Sequence, residues 1–565
     1  MVNLREKPYC LTEEDINWIE TTIAGMSDEE KVGQLFVNMV TSRKPEDLKY
    51  VVDHYHVGAI RYHNDAPEVI YEQNRVLQEN TKIPLLIASN CEAGGNGGVA
   101  GGTAIATGAA VAASNDPSTA YESARIGAAE SAAVGCNWNF APVVDLLYNW
   151  RNTIVQCRAF NNDPDDVIAY SKEFFRGIKT QNMATCCKHF PGDGTEENDQ
   201  HLIMGVNDMT CEEWDQTFGK VYKTLIDEGV MTIMAGHIAL PQYSKKLCPG
   251  MKDEEILPAT LSPELINGLL KEQLGFNGLV VTDASHMIGM FAAMPRREQL
   301  PRAIAAGCDM FLFFNDMEED FGYMMDGYKN GIISKERMED ALRRILGIKA
   351  SLKLHKLQKE GRLIPAKEGL SVIGCEEHKK IAARMADRYI TLVKDTKHYL
   401  PISPEKQKRI KLVFIGGEGT VVAGKLKPDD SEEVKARLIK ILEEKGFEVD
   451  AGNPEIKGKM EEVSAKYDLC LVVLNVAGFA QFNTMRVKWS LPITQPWYVS
   501  QLPTIFLSLN FTNHLIDVPM AKTYINAYVN SDEAISAAVD KMMGKSPFHG
   551  RFNENVFCGR WDTRI

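Results

Sequence analysis

Gly278-Leu279-Val280-Val281-Thr282-Asp283 is a short apolar run that ends in a carboxylate. Consecutive apolar residues are typical of a strand that is buried on both faces, as in a parallel sheet. Comparable runs recur along the first half of the chain, at Val32–Val40, Val57–His63, Pro84–Asn90, Cys136–Asp145, Met183–Phe190, Val230–Ile238 and Met310–Phe314. Helical patterns lie between them, including Tyr121–Ala133, Val167–Thr180 and Cys211–Glu228. This α/β alternation predicts a (β/α)8 TIM-like barrel, although a doubly wound sheet would give the same rhythm.

The length of the chain, 565 residues, predicts more than one domain, because a single hydrophobic core rarely organises so many. We expect the catalytic barrel to span residues 1–355 and a charged linker to span residues 356–385. A smaller αβα sandwich is predicted over residues 386–565, which is a reasonable size for a doubly wound domain. Its strands are predicted at Lys411–Gly416, Asp468–Val476, Thr504–Leu509 and Thr523–Tyr528.

The charge and the cysteines limit the classes of protein. A formal net charge of -13 disfavours nucleic-acid binding, since an acidic surface repels phosphate backbones. The twelve cysteines are scattered through apolar stretches, which is typical of free thiols in a reducing compartment. No apolar signal segment follows Met1, and no run of about 18 apolar residues suits a membrane span. We therefore predict a cytoplasmic protein without a nucleic-acid or membrane partner.

Polar residues stand at the ends of several predicted strands, where barrel enzymes place their catalytic groups. They are Asn90-Cys91-Glu92, Asp145, Lys188-His189, His237 and Asp283. A carboxylate that leaves a buried strand must be hydrogen-bonded or paired, so Asp283 is either a catalytic group or the cap of the following helix. Lys188 and His189 either bind substrate hydroxyls or pair with buried carboxylates, and His237 is equally compatible with a satisfied core histidine.

The loop from Phe190 to His201 contains a second candidate, Asp199-x-His201. Residues two apart in an extended loop point to the same side, so the carboxylate can accept a hydrogen bond from the imidazole. Such a bond fixes the tautomer and leaves the other ring nitrogen free to exchange a proton. By itself the pair is a weak signal, because Asp and His two apart are also common in solvated turns.

Together these residues resemble glycoside hydrolase family 3, specifically its β-N-acetylglucosaminidase branch. The resemblance rests on Lys188-His189-Phe190-Pro191-Gly192-x-Gly194 followed by Asp199-x-His201. Further segments that look familial are Asn139-Phe140-Ala141-Pro142-Val143-x-Asp145, Arg158-Ala159-Phe160, Val281-Thr282-Asp283, Gly307-Cys308-Asp309-Met310 and Arg343-Arg344-Ile345-Leu346. The motifs cover most of the first domain, whereas the second domain offers only Ser508-Leu509-Asn510-Phe511 and a general α/β pattern.

The resemblance implies a retaining exo-glycosidase that removes a terminal β-linked N-acetylhexosamine, with GlcNAc favoured, by double displacement. It implies that Asp283 is the nucleophile and that His201, oriented by Asp199, is the general acid/base. It also implies that Lys188, His189 and Arg158 hold the sugar hydroxyls. Asn90 and His237 complete the expected substrate-binding set, and the expected partner is a small carbohydrate or glycoconjugate. No metal and no cofactor are expected.

The chain departs from the family pattern at the substrate side of the predicted site. Asn90-Cys91-Glu92-Ala93-Gly94-Gly95 stands where the family usually has Asp-x-Glu-Gly-Gly, so a carboxylate that contacts hydroxyls becomes a neutral amide. Asp193 stands where histidine is common. These changes concern the identity of the sugar more than the chemistry, and they leave the choice between GlcNAc and GalNAc open.

Four alternatives remain at this stage. A metal-dependent barrel hydrolase would use His189, His201, His237, Asp283 and His286, but the first strand offers no His-x-His. A β-glucosidase of the same family would take its acid/base from elsewhere, and a phosphorylase would replace water by phosphate. A non-catalytic sugar-binding protein is the alternative from another class. The sequence specifies neither the aglycone nor the oligomeric state.

Overall fold

The computed structural model describes residues 2–417, 419–422, 425–427, 429–453, 456–477, 486–489 and 495–565. The chain divides into two compact units. The first consists of Met1–Thr103, Ala120–Leu147 and Asn162–His378. The second consists of Ala104–Thr119, Tyr148–Asn161 and Lys379–Ile565, so two segments from the first half of the chain belong to it.

The first unit contains a closed barrel of eight parallel strands, which confirms the predicted fold class. Around the barrel the order is β1-β8-β7-β6-β5-β4-β3-β2. The strands are β1 Phe36–Val40, β2 Ala59–Tyr62, β3 Leu86–Ser89, β4 Trp138–Asn139, β5 Ala184–Phe190, β6 Thr232–Ala235, β7 Leu279–Ala284 and β8 Met310–Leu312.

Helices alternate with these strands, as the sequence pattern predicts. The main helices of this unit are Glu13–Ala24, Asp28–Gln34, Pro45–His54, Pro67–Asn80, Ser118–Ala133, Pro164–Lys179, Lys220–Glu228, Arg296–Ala306, Met317–Lys329 and Lys335–Ser351. A wide-turn helix over Glu264–Gln273 and short helices over Cys211–Trp214, Pro241–Leu247, Ile288–Phe291 and Leu354–Lys359 complete the unit.

The first predicted strand is too long at its start. Ser27 caps the helix Asp28–Gln34, because its side chain accepts from the backbone of Glu30 and the Glu30 carboxylate accepts from the backbone of Ser27. The strand therefore begins at Phe36 instead of Val32. Here the capping box outweighs the apolar run that suggested a longer strand.

The second unit contains a mixed six-stranded sheet in the order β9-β14-β13-β12-β10-β11. Strand β9 is antiparallel to its neighbour, and the other pairs are parallel. The strands are β9 Thr391–Asp395, β10 Arg409–Gly416, β11 Glu448–Asp450, β12 Leu469–Asn475, β13 Thr504–Leu509 and β14 Thr523–Asn526. The helices are Gly108–Ser114, Glu376–Tyr389, Ser431–Glu444, Met460–Lys466 and Asp532–Met542.

Four of these six strands correspond to predicted ones, and the two edge strands β9 and β11 were missed. Edge strands carry shorter and more polar patterns because one side faces solvent. All twelve cysteines are free thiols, and six of them are buried. Among the described residues no helix is long and apolar enough to cross a bilayer.

Candidate active site

Asp283 is the fifth residue of β7, near the carboxyl end of the strand. Its Oδ1 accepts a hydrogen bond from the backbone N–H of Ala284 at 2.7 Å. Burial raises the pKa of this carboxyl group. The nearby imidazoles of His189, His237 and His201 lower the pKa, and together with the backbone N–H of Ala284 they outweigh burial, so the net pKa lies below its usual value. The carboxylate is therefore ionised at neutral pH and surrounded by three histidines.

His201 follows β5 in the long loop, and Asp199 holds it in place. Asp199 Oδ1 lies 2.7 Å from His201 Nδ1 and also accepts from the backbone N–H of His201 at 2.9 Å. The Asp199 side chain is fully buried, whereas the His201 side chain is 24% exposed. Since the carboxylate only accepts, Nδ1 carries the proton of this bond and Nε2 is the nitrogen that is left to exchange protons.

Asp145 holds the end of β5 and the start of the following loop by hydrogen bonds. Its Oδ1 accepts from the backbone N–H groups of His189 at 3.1 Å and Asp193 at 2.8 Å. Its Oδ2 lies 2.7 Å from His189 Nδ1, and His189 Nε2 lies 3.9 Å from Asp283 Oδ2. The buried carboxylate of Asp145 thereby fixes the ring of His189 next to the candidate nucleophile.

Lys188 and Asn90 complete the polar lining near the strand ends. Lys188 is 3% exposed, and its Nζ pairs with Glu92 Oε1 at 2.7 Å. The side-chain Oδ1 of Asn90 is buried and has no hydrogen-bond partner within the described residues. A buried acceptor without a partner is costly, so Asn90 is a candidate for contact with a ligand.

His237 is fully buried at the end of β6, and both of its ring nitrogens have protein partners. Its Nδ1 lies 3.0 Å from Thr260 Oγ1, and its Nε2 lies 3.0 Å from the carbonyl oxygen of Ala284. Burial lowers the pKa of His237, so the ring is neutral at neutral pH. Because a carbonyl only accepts, Nε2 donates to Ala284, and His237 connects the ends of β6 and β7.

Gln200 fixes the loop that carries His201. Its Oε1 accepts from the backbone N–H of His237 at 2.7 Å, and its Nε2 lies 3.4 Å from Asp193 Oδ2. The backbone N–H groups of Ile288 and Gly289 donate to the carbonyl oxygens of His201 and Gln200, each at 3.1 Å. A Cβ at position 289 would lie 2.8 Å from the Gln200 carbonyl oxygen, so only glycine permits this close approach.

Seven of the eight predicted site residues belong to the first unit, and Arg158 belongs to the second. Within that unit the Arg158 guanidinium donates to the carbonyl oxygen of Ile154 at 3.3 Å. Across the described part of the chain, no group of three or more His, Cys, Asp or Glu side chains is arranged to hold a metal ion.

Sequence reasoning missed the functions of Asp145, Glu92 and Gln200. Asp145 and Glu92 were noted as polar strand ends, but their pairing with His189 and Lys188 depends on contacts across neighbouring strands. Gln200 lies between Asp199 and His201, and nothing in its local sequence signals a bond to the backbone of His237.

The model of the glycosyl hydrolase family 3 N-terminal domain matches residues 27–348, which is more than half of the chain. The chain therefore belongs to glycosyl hydrolase family 3, and the resemblance seen in its motifs is confirmed. Over 568 residues it is 38% identical to a β-N-acetylglucosaminidase/β-glucosidase of Cellulomonas fimi, and the match covers 100% of both chains. It is 33% identical over 192 residues to a β-hexosaminidase of Chromobacterium violaceum, which is 34% of this chain and 50% of that protein.

Solved structures agree with this membership. A β-glucoside phosphorylase bound to 2FGlc has a TM-score of 0.91 at 38% identity, covering 97% of this chain and 98% of that chain. A family 3 β-N-acetylglucosaminidase from Paenibacillus sp. str. FPU-7 has a TM-score of 0.77 at 23% identity, covering 93% and 98%. The second likeness, at its lower identity, shows the shared fold alone.

Proposed function

We propose that this family 3 enzyme is a retaining β-N-acetylglucosaminidase that acts through a glycosyl-enzyme intermediate on Asp283. The observation that carries the proposal is the bond of 2.7 Å between Asp199 and His201, close to an ionised Asp283. A bound imidazole with one free nitrogen is suited to proton exchange, and a carboxylate is suited to nucleophilic attack.

In the first step Asp283 attacks the anomeric carbon while the bond to the leaving oxygen breaks. His201 Nε2 gives its proton to that oxygen, so the aglycone leaves as a neutral alcohol. The pKa of Asp283, which lies below its usual value, keeps the carboxylate ionised and ready to attack. Asp199 keeps one proton on Nδ1 and stabilises the positive charge of the imidazolium, whose second proton, on Nε2, is the one transferred.

In the second step His201 Nε2 takes a proton from water, and the water oxygen attacks the anomeric carbon. The carboxylate of Asp283 leaves, and the two inversions together retain the β configuration. Lys188, His189 and Asn90 bind the sugar in this proposal. His237 has both nitrogens engaged by protein, so we assign it a positioning role between β6 and β7.

The direct test is hydrolysis of nitrophenyl β-GlcNAc, β-GalNAc and β-Glc by wild type, with Asp283→Asn as the blank. The proposal expects wild type to prefer the β-GlcNAc substrate and the variant to lose activity at least about a thousandfold, since the nucleophile is removed. Activity on β-Glc alone would make the enzyme a β-glucosidase and would contradict the sugar assignment.

Phosphorolysis is the second candidate, favoured by the chemistry of His201. A neutral imidazole base does not repel a phosphate dianion as a carboxylate base would. The similar β-glucoside phosphorylase, at 38% identity over nearly the whole chain, supports the same candidate. Water and phosphate would compete for one glycosyl-enzyme intermediate, so both reactions would share Asp283.

The product of the second step separates the two candidates. The reaction is run with and without an excess of phosphate, and the sugar product is followed by ³¹P and ¹H NMR. A sugar 1-phosphate establishes phosphorolysis, and the free sugar establishes hydrolysis. If none of the three substrates yields either product, both candidates are contradicted.

A further inference from the structure

Arg61, the third residue of β2, is a largely buried cation without a carboxylate partner among the described residues. Its guanidinium donates to the carbonyl oxygen of Tyr62. The groups that act on its charge are Tyr62, Cys91 and Cys136. Burial raises the pKa of all three, that of Cys91 to about 12, so none is an anion at neutral pH. A buried charge without a counter-charge is costly, and it is retained where a ligand supplies the opposite charge.

The register of the barrel shows which face carries Arg61. Arg61 pairs with Ala88 on β3, and Ala88 pairs with Trp138 on β4. Residues opposite each other in a ladder project to the same face of the sheet. The indole Nε1 of Trp138 donates to Thr232 Oγ1 on β6 at 2.9 Å, so Arg61 shares a face with Thr232.

This face is the one that lines the candidate active site. Thr232 pairs with Cys186 on β5, and the charges of Lys188 and Asp283 act on the Cys186 thiol. Arg61 therefore projects from β2 to the same side as the candidate nucleophile. Arg61 is on β2 and Asp283 is on β7, and β1 and β8 lie between these two strands around the barrel, so Arg61 stands apart from the candidate nucleophile.

Asn90 directly follows β3 and comes two residues after Ala88, the residue of β3 that pairs with Arg61. The Cys91 thiol, one residue further, is close enough to act on the Arg61 charge. The amide of Asn90 has a buried oxygen without a partner, and rotation of the amide would present its NH2 group instead. A neutral amide leaves the guanidinium charge uncompensated, and both groups then offer N–H donors.

We propose that Arg61 and Asn90 form an oxyanion subsite, so that the substrate carries a carboxylate, phosphate ester or sulfate ester. Guanidinium groups bind such oxyanions with two parallel hydrogen bonds. Because Arg61 stands apart from Asp283, the anion belongs on the glycone at a distance from the anomeric carbon. The inference rests on the proposed glycosidase function and names the class of its substrate. Inorganic phosphate shares this chemistry and is the other source that the experiment separates.

The kinetic test compares nitrophenyl β-GlcNAc with its 6-sulfate and 6-phosphate esters and with nitrophenyl β-glucuronide. For wild type, the kcat/KM of at least one charged substrate exceeds that of the neutral one. Arg61→Met lowers this charged-to-neutral ratio at least about tenfold, mainly through KM, and Arg61→Lys restores part of it because the charge remains. A ratio that is the same in wild type and Arg61→Met overturns the glycone assignment.

A binding measurement distinguishes failure of the subsite from failure of the catalytic proposal. Titration calorimetry with inorganic phosphate uses Asp283→Asn with and without Arg61→Met, so it needs no turnover. Phosphate binding that depends on Arg61, without any preference for charged glycosides, assigns the subsite to free phosphate. The exposed Arg5→Met serves as a matched control and retains binding. If Arg61→Met retains both phosphate binding and the preference for charged substrates, the subsite is overturned altogether.

Discussion

Asp145 Oδ2 lies 2.7 Å from His189 Nδ1, and the same carboxylate accepts two backbone N–H groups from the start of the loop. This single buried side chain sets both the ring orientation of His189 and the path by which the chain leaves β5. The loop that carries Asp199 and His201 begins there. The geometry of the proposed pair of Asp199 and His201 therefore depends on Asp145, although none of these bonds joins Asp145 to either residue.

Asp145→Asn tests this dependence. The amide oxygen still accepts the backbone bonds, but the amide nitrogen now faces His189 Nδ1 and forces the other tautomer. We expect kcat on nitrophenyl β-GlcNAc to fall about 10- to 100-fold, as for loss of one buried bond to a charged group of about 1.5–3 kcal/mol. Thermal unfolding reports the accompanying loss of stability. A variant with wild-type kcat would show that His189 orientation is unimportant.

Asp199→Asn tests the role of the carboxylate beside His201. The loss of charge and of the fixed tautomer reduces proton donation, which we expect to lower the rate about 100-fold or more on a methyl β-glycoside. A 2,4-dinitrophenyl glycoside needs no protonation on leaving, so the first step on that substrate changes little. Pre-steady-state release of dinitrophenol measures that step. Equal losses on both substrates would indicate general damage instead of a positioned acid.

The contact between Gln200 and Asp193 permits a reciprocal exchange. Gln200→Glu places a second carboxylate opposite Asp193 Oδ2, at the present separation of 3.4 Å, and we expect a large loss of kcat. In the double variant Gln200→Glu/Asp193→Asn the donor and acceptor are interchanged, so activity recovers in part. The fold changes in kcat of the two single variants and the double variant measure the coupling. Additive losses would contradict the proposed coupling between Gln200 and Asp193.

His514 predicts how stability depends on pH. Its Nδ1 lies 2.8 Å from Ser508 Oγ, and burial lowers its pKa to about 4. The native ring is neutral, whereas the unfolded ring takes up a proton below its ordinary pKa of 6.5. The free energy of unfolding therefore has its full value above pH 6.5, and the titration of His514 lowers it by about 3 kcal/mol as the pH drops from 6.5 to 4.

Urea unfolding of wild type and His514→Asn across this pH range isolates that contribution. The difference between the two free energies of unfolding cancels the other titrating groups. We expect the difference to shrink toward acid pH, since the neutral asparagine has no proton to gain. A difference that stays constant with pH would show that the His514 pKa is not lowered in the folded protein.

The barrel was predictable because buried parallel strands are apolar at consecutive positions, as Leu279–Val281 show. The motifs around Lys188 and Asp199 directed the search to the end of β5 and the loop that follows it, and the site itself stays a prediction. The roles of the individual residues, the domain boundaries and the cytoplasmic location stay predictions.

The partners of the site residues could not be predicted from the sequence. Asp145 and His189 are far apart in sequence but close in the barrel, and so are Gln200 and His237. Arg61 was not predicted as a site residue, because the sequence does not show whether an arginine near the end of a strand has a carboxylate partner. Such features depend on which side chains face each other across strands, and periodicity alone does not specify this.

The central claim is that Asp283 forms the glycosyl-enzyme intermediate. It is tested most directly by incubating wild type with a 5-fluoro-β-GlcNAc fluoride and mapping the labelled peptide by mass spectrometry. The account predicts one added glycosyl group, on the peptide that contains Asp283, and no label in Asp283→Asn. A label on another residue, or an α-configured first product from turnover of nitrophenyl β-GlcNAc, would contradict it.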